Sequence, residues 1–114
     1  MSDSTLFQKI HQGAIPAKFL ARRERCFAIE DIDAKAPFHV LVIPVKPIPS
    51  LADLAEDDGV IVADCLALAS DLAREHGLAK GWRLVANVGA DGGQTVAHLH
   101  FHVLGGRHLG WPPG

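Results

Sequence analysis

Hydrophobic and polar residues follow one another in patterns that predict five strands and two helices. The predicted strands cover residues 17–21, 25–30, 38–43, 82–88 and 96–104. Apolar residues spaced three and four apart predict a short helix over residues 4–12 and a long helix over residues 56–76. This set of elements predicts an α+β domain, in which both helices pack on one face of a five-stranded antiparallel sheet.

The segments between these elements are rich in proline and glycine. Three prolines within residues 44–49 predict an irregular connection, and glycines in residues 89–93 predict a turn. The tail, residues 105–114, ends in Trp-Pro-Pro-Gly and cannot form regular structure. With 114 residues and no internal linker, the chain is expected to be one domain over residues 1–114.

Composition excludes several classes of protein. A net charge of −2 provides no polycationic surface, so nucleic acid is not an expected partner. No signal peptide starts the chain and no window is long and apolar enough for a bilayer, so we expect a cytoplasmic protein without a membrane partner. The two cysteines lack metal-ligand spacing, and we expect buried free thiols.

Three alternating histidines, His98, His100 and His102, are the most informative residues of the chain. On the predicted strand 96–104 they would share one face, while Leu99 and Phe101 would point to the other. A sheet that needed only solubility would carry threonine, lysine or glutamate at such positions. The pattern therefore indicates chemistry at this face.

Two kinds of chemistry compete for this face. A His-x-His pair on a strand is a workable zinc site. However, the outer two histidines would lie ~13 Å apart at ~3.3 Å per residue, so one ion could not bind all three, and only His39 is an obvious additional ligand. Nucleophilic and acid–base catalysis on phosphorus is favoured, because a neutral imidazole is a good nucleophile near neutral pH. We expect neither a metal nor another cofactor.

The loop over residues 89–95 comes directly before the histidines. Its glycines would let backbone amides approach an anion, and Gln94 and Thr95 add polar side chains. An ordinary Asp-Gly-Gly turn explains the loop nearly as well. The sequence leaves both interpretations open.

Residues 92–107, with the run His-Leu-His-Phe-His-Val, resemble the signature of the histidine triad (HIT) superfamily. The Trp-Pro-Pro-Gly end is similar to that of its histidine triad nucleotide-binding (HINT) branch. Upstream, Asp31-Ile32, the run from Ala36 to His39, and Gly81-Trp82-Arg83 resemble further segments of that branch. The resemblance covers nearly the whole chain and implies the HIT-like fold, with the sheet continuing across a homodimer.

The resemblance also implies a role for each matching residue. His100 matches the nucleophile, His98 the histidine that orients it, and His102 and His39 the partners that handle phosphate and protons, with Thr95 as a further catalytic group. The implied nucleotide-binding residues are Ile29, Asp31, Ile32, Asn87, Gly93, Gln94, Thr95, His100, Phe101 and His102. Among them Asp31 would accept the ribose hydroxyls, and Ile29 and Ile32 would line the base pocket.

The implied activity is hydrolysis of a purine nucleoside 5′-phosphoramidate to the nucleoside monophosphate, AMP or GMP, and an amine. The intermediate would be a covalent nucleotidyl-histidine. Two alternatives stay open: a dinucleoside polyphosphate hydrolase, which the Trp-Pro-Pro-Gly end disfavours, and a nucleotide-binding module that acts through a protein partner.

Overall fold

A five-stranded antiparallel sheet forms the centre of the computed structural model, which describes residues 4–114. The elements in chain order are α1 (Leu6–His11), β1 (Phe19–Arg22), β2 (Cys26–Glu30), β3 (Phe38–Pro44), a 3₁₀ turn (Leu51–Asp53), α2 (Gly59–Glu75), β4 (Trp82–Val85) and β5 (Phe101–Gly105). The strand order is β1-β2-β3-β5-β4. The predicted α+β class, with one long and one short helix, is confirmed, and residues 1–3 of the predicted domain lie outside the described residues.

The two helices pack on opposite faces of the sheet, so the prediction that both cover one face is wrong. Leu68 and Leu72 of α2 join a core cluster that includes Val40, Val42 and Val103. Phe7 and Ile10 of α1 join a second cluster, made with Phe27, Ile29, Leu41 and Ile43. Alternate residues of β2 and β3 enter the two clusters because successive side chains on a strand point to opposite faces. Both faces of the sheet are apolar, so each is covered by a helix.

The last two strands are shorter than predicted. β4 ends at Val85, and β5 begins only at Phe101, so His98 and His100 precede the strand. Before Phe101 the backbone finds a different partner: the amide of Leu99 donates to the carbonyl of Ile48, in the proline-rich connection, at 2.6 Å. The last pair between β3 and β5 is Val42 with Phe101, so residues 96–100 form no regular ladder with β3. The prediction of one regular strand carrying all three histidines is therefore wrong.

Side-chain caps define the ends of the helices. Thr5 caps α1 through a reciprocal pair of bonds with Gln8, because the Thr5 hydroxyl accepts from the Gln8 amide and the Gln8 side chain accepts from the Thr5 amide. α2 starts at Gly59, later than predicted. The residue before it, Asp58, directs its buried carboxylate to Lys46 and to the amide of Ala55 and does not cap the first turn of the helix. Gly77 follows α2 with a φ of 70°, a conformation that glycine adopts without strain. Among the described residues no helix is long and apolar enough to cross a membrane.

Candidate active site

The histidines that the sequence singled out lie together on the α1 face of the sheet. The ring centroids of His100 and His102 are 5.1 Å apart, and those of His39 and His102 are 5.2 Å apart. Their exposure rises along the chain, from 0% for His98 through 8% for His100 to a half-buried His102. His98 therefore lies inside the fold, whereas His100 and His102 reach the surface where a ligand can bind.

His100 has one ring nitrogen in a hydrogen bond, and the other meets no hydrogen-bond partner within residues 4–114. Its Nδ1 lies 2.8 Å from the carbonyl oxygen of His98. A carbonyl only accepts hydrogen bonds, so Nδ1 carries the proton and the lone pair of the neutral ring is on Nε2. This is the arrangement that a nucleophilic imidazole needs.

The ring of His98 is held by one hydrogen-bond acceptor and one hydrogen-bond donor. Its Nε2 donates to the carbonyl of Pro44 at 2.8 Å. Its Nδ1 lies 2.6 Å from the hydroxyl of Thr5, which must therefore be the donor to the neutral ring. Both ring nitrogens of His98 are thus satisfied inside the protein.

His39 and His102 form a second pair, and Asp31 lies beside them. The amide of Lys35 donates to Nδ1 of His39 at 2.9 Å, so Nε2 of the neutral ring carries the proton and donates to Nδ1 of His102, also at 2.9 Å. The proton of the neutral His102 ring is therefore on its remaining nitrogen, Nε2. A carboxylate oxygen of Asp31 lies 3.3 Å from Nε2 of His39.

Burial keeps three of these rings neutral. It is the main cause that lowers the pKa of His39, His98 and His102 below the ordinary histidine value. The negative charge of Asp31 opposes this effect at His39 and His102, and the hydrogen bond to Pro44 opposes it at His98. The hydrogen-bond assignments above for His39, His98 and His102 as neutral rings therefore apply near neutral pH.

Asp31, His39 and His102 have potential ligand atoms within 4.8 Å of one another, which suits a metal ion by distance alone. The hydrogen bonds argue against such a site. Because Nδ1 of His39 accepts the amide of Lys35, its Nε2 holds a proton where an ion would require a lone pair. The donor set fits a hydrogen-bonded cluster better than it fits a metal.

Known proteins share this architecture. The HIT domain family matches residues 12–109. The chain belongs to the HIT family. An uncharacterized HIT-like protein of Synechocystis sp. is 43% identical over the full length of both chains. The crystal structure of a HIT family hydrolase from Legionella pneumophila has a TM-score of 0.94 and 46% identity, covering 97% of this chain and 100% of that one. The histidine triad nucleotide-binding protein from Candida albicans has a TM-score of 0.81 and 29% identity, covering 96% and 83%.

In this HIT chain the loop before the triad is a closed turn. The amides of Gly93 and Gln94 donate to the carbonyls of Ala90 and Gly89, each at 3.0 Å. Gln94 is also committed, because its side chain binds Pro49, Val96 and Gly89. These hydrogen bonds brace the loop as a turn, and the role of Gly93 and Gln94 in nucleotide binding stays a prediction.

The remaining predicted residues of the HIT site are distributed between its surface and the core. Asn87 donates to the carbonyl of Gly92 in the loop, and Thr95 is exposed. Ile32 is fully exposed beside Asp31, while Ile29 is buried with the α1 cluster. The side chain of Phe101 is buried in the α2 cluster, on the opposite face from the histidines, so only its backbone faces the site.

Sequence reasoning missed two site residues at the start of α1, the N-cap Thr5 and Phe7. The ring of Phe7 packs edge-on against His98 and His100, with centroids 5.5 and 5.0 Å apart, and the Thr5 hydroxyl binds His98. The Thr-x-x-Gln spacing of Thr5 and Gln8 is a sequence signal for a helix cap. Nothing in the sequence pairs that cap with a histidine 93 residues away.

Proposed function

We propose that this HIT-family protein hydrolyses purine nucleoside 5′-phosphoramidates through a nucleotidyl-His100 intermediate, as members of the HINT branch do. The observation that carries the proposal is the hydrogen bond from Nδ1 of His100 to the His98 carbonyl, which leaves Nε2 as the nucleophilic nitrogen. The names of the Legionella hydrolase and the Candida nucleotide-binding protein support a hydrolase that binds nucleotides.

In the first step Nε2 of His100 attacks the α-phosphorus and the P–N bond breaks. The amine takes the bonding pair and a proton, for which Thr95, His102 and His39 are the candidate donors. The ring of His102 lies beside that of His100, with centroids 5.1 Å apart. The positive charge that develops on the phosphorylated imidazole is stabilised by the His98 carbonyl, because the Nδ1–H bond to it strengthens as the ring becomes cationic.

In the second step a water oxygen attacks the phosphorus of nucleotidyl-His100, and the P–N bond to the imidazole breaks. The water gives a proton to the group that protonated the amine, so the site returns to its starting state. The products are the nucleoside monophosphate and the free histidine.

The proposed nucleoside subsite lies at the end of β2. Asp31 would accept the ribose hydroxyls, since its carboxylate is partly exposed and has more acceptor positions than its contacts with the Asp33 amide and with Nε2 of His39 use. Ile32, the most exposed large apolar side chain of the described residues, would contact the purine. AMP and GMP are the expected products.

The test compares the wild-type protein on adenosine 5′-phosphoramidate and on diadenosine polyphosphates. We expect faster turnover of the phosphoramidate, and a trapped adduct of one nucleotidyl group on His100 by peptide mass mapping. His108→Gln, at an exposed histidine, is the matched control and keeps full activity. Preference for the polyphosphates would favour the sister hydrolase, and binding of AMP without any turnover would favour the binding module.

Metal dependence is tested with the same assay. We expect full activity after exhaustive chelation, because the proton on Nε2 of His39 occupies the position that an ion would need. Loss of activity with chelator that added zinc restores would show that His39 and His102 serve a metal instead.

We also propose a homodimer in which the sheet continues across the interface through β4. This strand is an open edge of the sheet, and the apolar Trp82 and Val88 near it are exposed. Arg83 of β4 holds the start of the tail by donating to the carbonyls of Leu109 and Gly110, beyond which Trp111 is 83% exposed. Such a tail would reach the partner's site.

Light scattering at micromolar concentration tests the dimer, and a monomer would contradict it. Deletion of residues 111–114 tests the tail. We expect the truncated protein to keep its dimer and its affinity for AMP but to change its relative rates on phosphoramidates with different amines. Unchanged relative rates would remove the tail from substrate selection.

A further inference from the structure

We propose that the hydroxyl of Thr5 is a positioning group of the active site, which holds His98 as a neutral ring protonated on Nε2 and thereby fixes the carbonyl that orients His100. The effect on rate rests on the proposed function. The effect on the two histidine rings does not, and can be measured separately.

The contact joins two distant parts of the chain with little freedom. Thr5 Oγ1 lies 2.6 Å from Nδ1 of His98, and the same oxygen accepts the amide of Gln8 at 3.0 Å. With its lone pair used by Gln8, the hydroxyl proton is available to His98. Pro44 takes the proton on the other ring nitrogen at 2.8 Å, so the His98 ring cannot turn without breaking both bonds.

A fixed His98 matters because its backbone is the direct partner of His100. The His98 carbonyl accepts Nδ1–H of His100, and residues 96–100 lack a regular strand that would otherwise hold them. The side-chain bonds of His98 therefore anchor this segment, together with the backbone hydrogen bond from Leu99 to Ile48. Phe7 lies in the helix that Thr5 caps, and it packs against the rings of His98 and His100 and limits their movement.

The charge of His98 matters for the same reason. Its ring is completely buried near His100, which becomes cationic in the proposed covalent intermediate. A second positive charge at His98 would oppose that step. In the described part of the chain, the polar and aromatic groups in contact with the ring include the Thr5 hydroxyl, the Pro44 carbonyl, Phe7 and His100. A neutral hydroxyl donor keeps His98 neutral, whereas a carboxylate in its place would draw a proton onto Nδ1.

Substitutions at Thr5 separate this role from helix capping. Aspartate is as good a cap as threonine, but it accepts where the hydroxyl donates. We expect Thr5→Asp to keep the melting temperature within a few degrees, to convert His98 to a cation at neutral pH, and to lower kcat about tenfold or more with little change in KM. Thr5→Ser keeps the helix cap and the hydroxyl that donates to His98, and should behave as the wild type does. Thr5→Val loses the cap and the donor.

Gln8→Ala is the matched control, since it removes the other half of the capping box and leaves the Thr5 hydroxyl on His98. It should lower the melting temperature by a few degrees without changing kcat. The decisive measurement is nitrogen-15 NMR of the imidazole rings. We expect a neutral Nε2–H form for His98 and a neutral Nδ1–H form for His100 in the wild type, Thr5→Ser and Gln8→Ala.

The proposal is overturned if Thr5→Asp leaves His98 neutral, or if Thr5→Val lowers the melting temperature no more than Gln8→Ala does and leaves both rings and kcat unchanged. A wild-type protein that shows the expected ring forms but no phosphoramidate turnover would refute the proposed function alone. The two failures are therefore distinguishable.

Discussion

Acidification is expected to destabilise this fold well before its carboxylates are protonated. The pKa values of His39, His98 and His102 are lowered by burial, so in the folded protein these rings stay neutral below about pH 6.5, where they take up protons in the unfolded chain. The unfolded state therefore binds more protons in this range. The stability is fully present above the unfolded pKa and falls as the pH descends toward the folded values.

The slope of this loss follows from the number of buried rings. Each ring that is charged only in the unfolded state lowers the free energy of unfolding by about 1.4 kcal/mol per pH unit. Three rings set an upper limit of about 4 kcal/mol per unit, which is large beside the ~5–15 kcal/mol of an ordinary domain. Asp31 favours the cationic forms of His39 and His102, whereas among residues 4–114 no carboxylate raises the pKa of His98. The slope should therefore lie between the one-ring and three-ring limits.

Urea unfolding followed by tryptophan fluorescence between about pH 8 and 5 measures this slope. Asp58 and Asp71 do not interfere, because ion pairs lower the pKa of both carboxylates below 3.8 and their contributions disappear only at more acidic pH. His108→Gln, at an exposed site, should leave the slope unchanged. A free energy of unfolding that is flat or rises between about pH 6.5 and 5 would refute the argument from buried neutral histidines.

Three substitutions test the site and its loop. His100→Ala should lower the phosphoramidate rate by about a thousandfold or more while AMP affinity, measured by calorimetry, persists; a tenth of wild-type activity would exclude covalent catalysis by His100. Asp31→Asn should weaken AMP binding by about tenfold or more but hardly affect the 2′,3′-dideoxy analogue, and equal losses would remove Asp31 from the sugar subsite. Gly92→Ala would place a Cβ 2.3 Å from the Val88 carbonyl and should cost about 2 kcal/mol or more in urea unfolding, whereas Gly59→Ala meets nothing within 4 Å and should cost about 0.5 kcal/mol or less.

Sequence patterns predicted the helices and strands correctly where residues close together in the chain decide the structure. The spacing of Cys65, Leu68 and Leu72 predicted α2 because residues three and four apart share one helix face, and all three are buried. Phe38–Pro44 was recognisable as a buried strand from its β-branched run, and it pairs on both sides. The triad likewise predicted a candidate site, because three alternating histidines have no ordinary structural use.

Tertiary structure decided what depends on partners far along the chain. The β5 strand starts at Phe101 rather than at Val96 because its ladder with β3 ends at the Val42–Phe101 pair and the Leu99 amide binds the Ile48 carbonyl instead. A strand exists only where a neighbour supplies its hydrogen bonds. Helix α1 packs on the face of β2 and β3 that α2 does not cover, because that face is also apolar.

The protonation pattern of the histidines is also tertiary. Which ring nitrogen carries the proton depends on whether its partner donates or accepts, and those partners are the Pro44 carbonyl, the Lys35 amide and the Thr5 hydroxyl. The sequence supplies four imidazoles of identical chemistry. Folding makes them different, because it places a donor beside one nitrogen and an acceptor beside the other, and so leaves Nε2 of His100 with the lone pair.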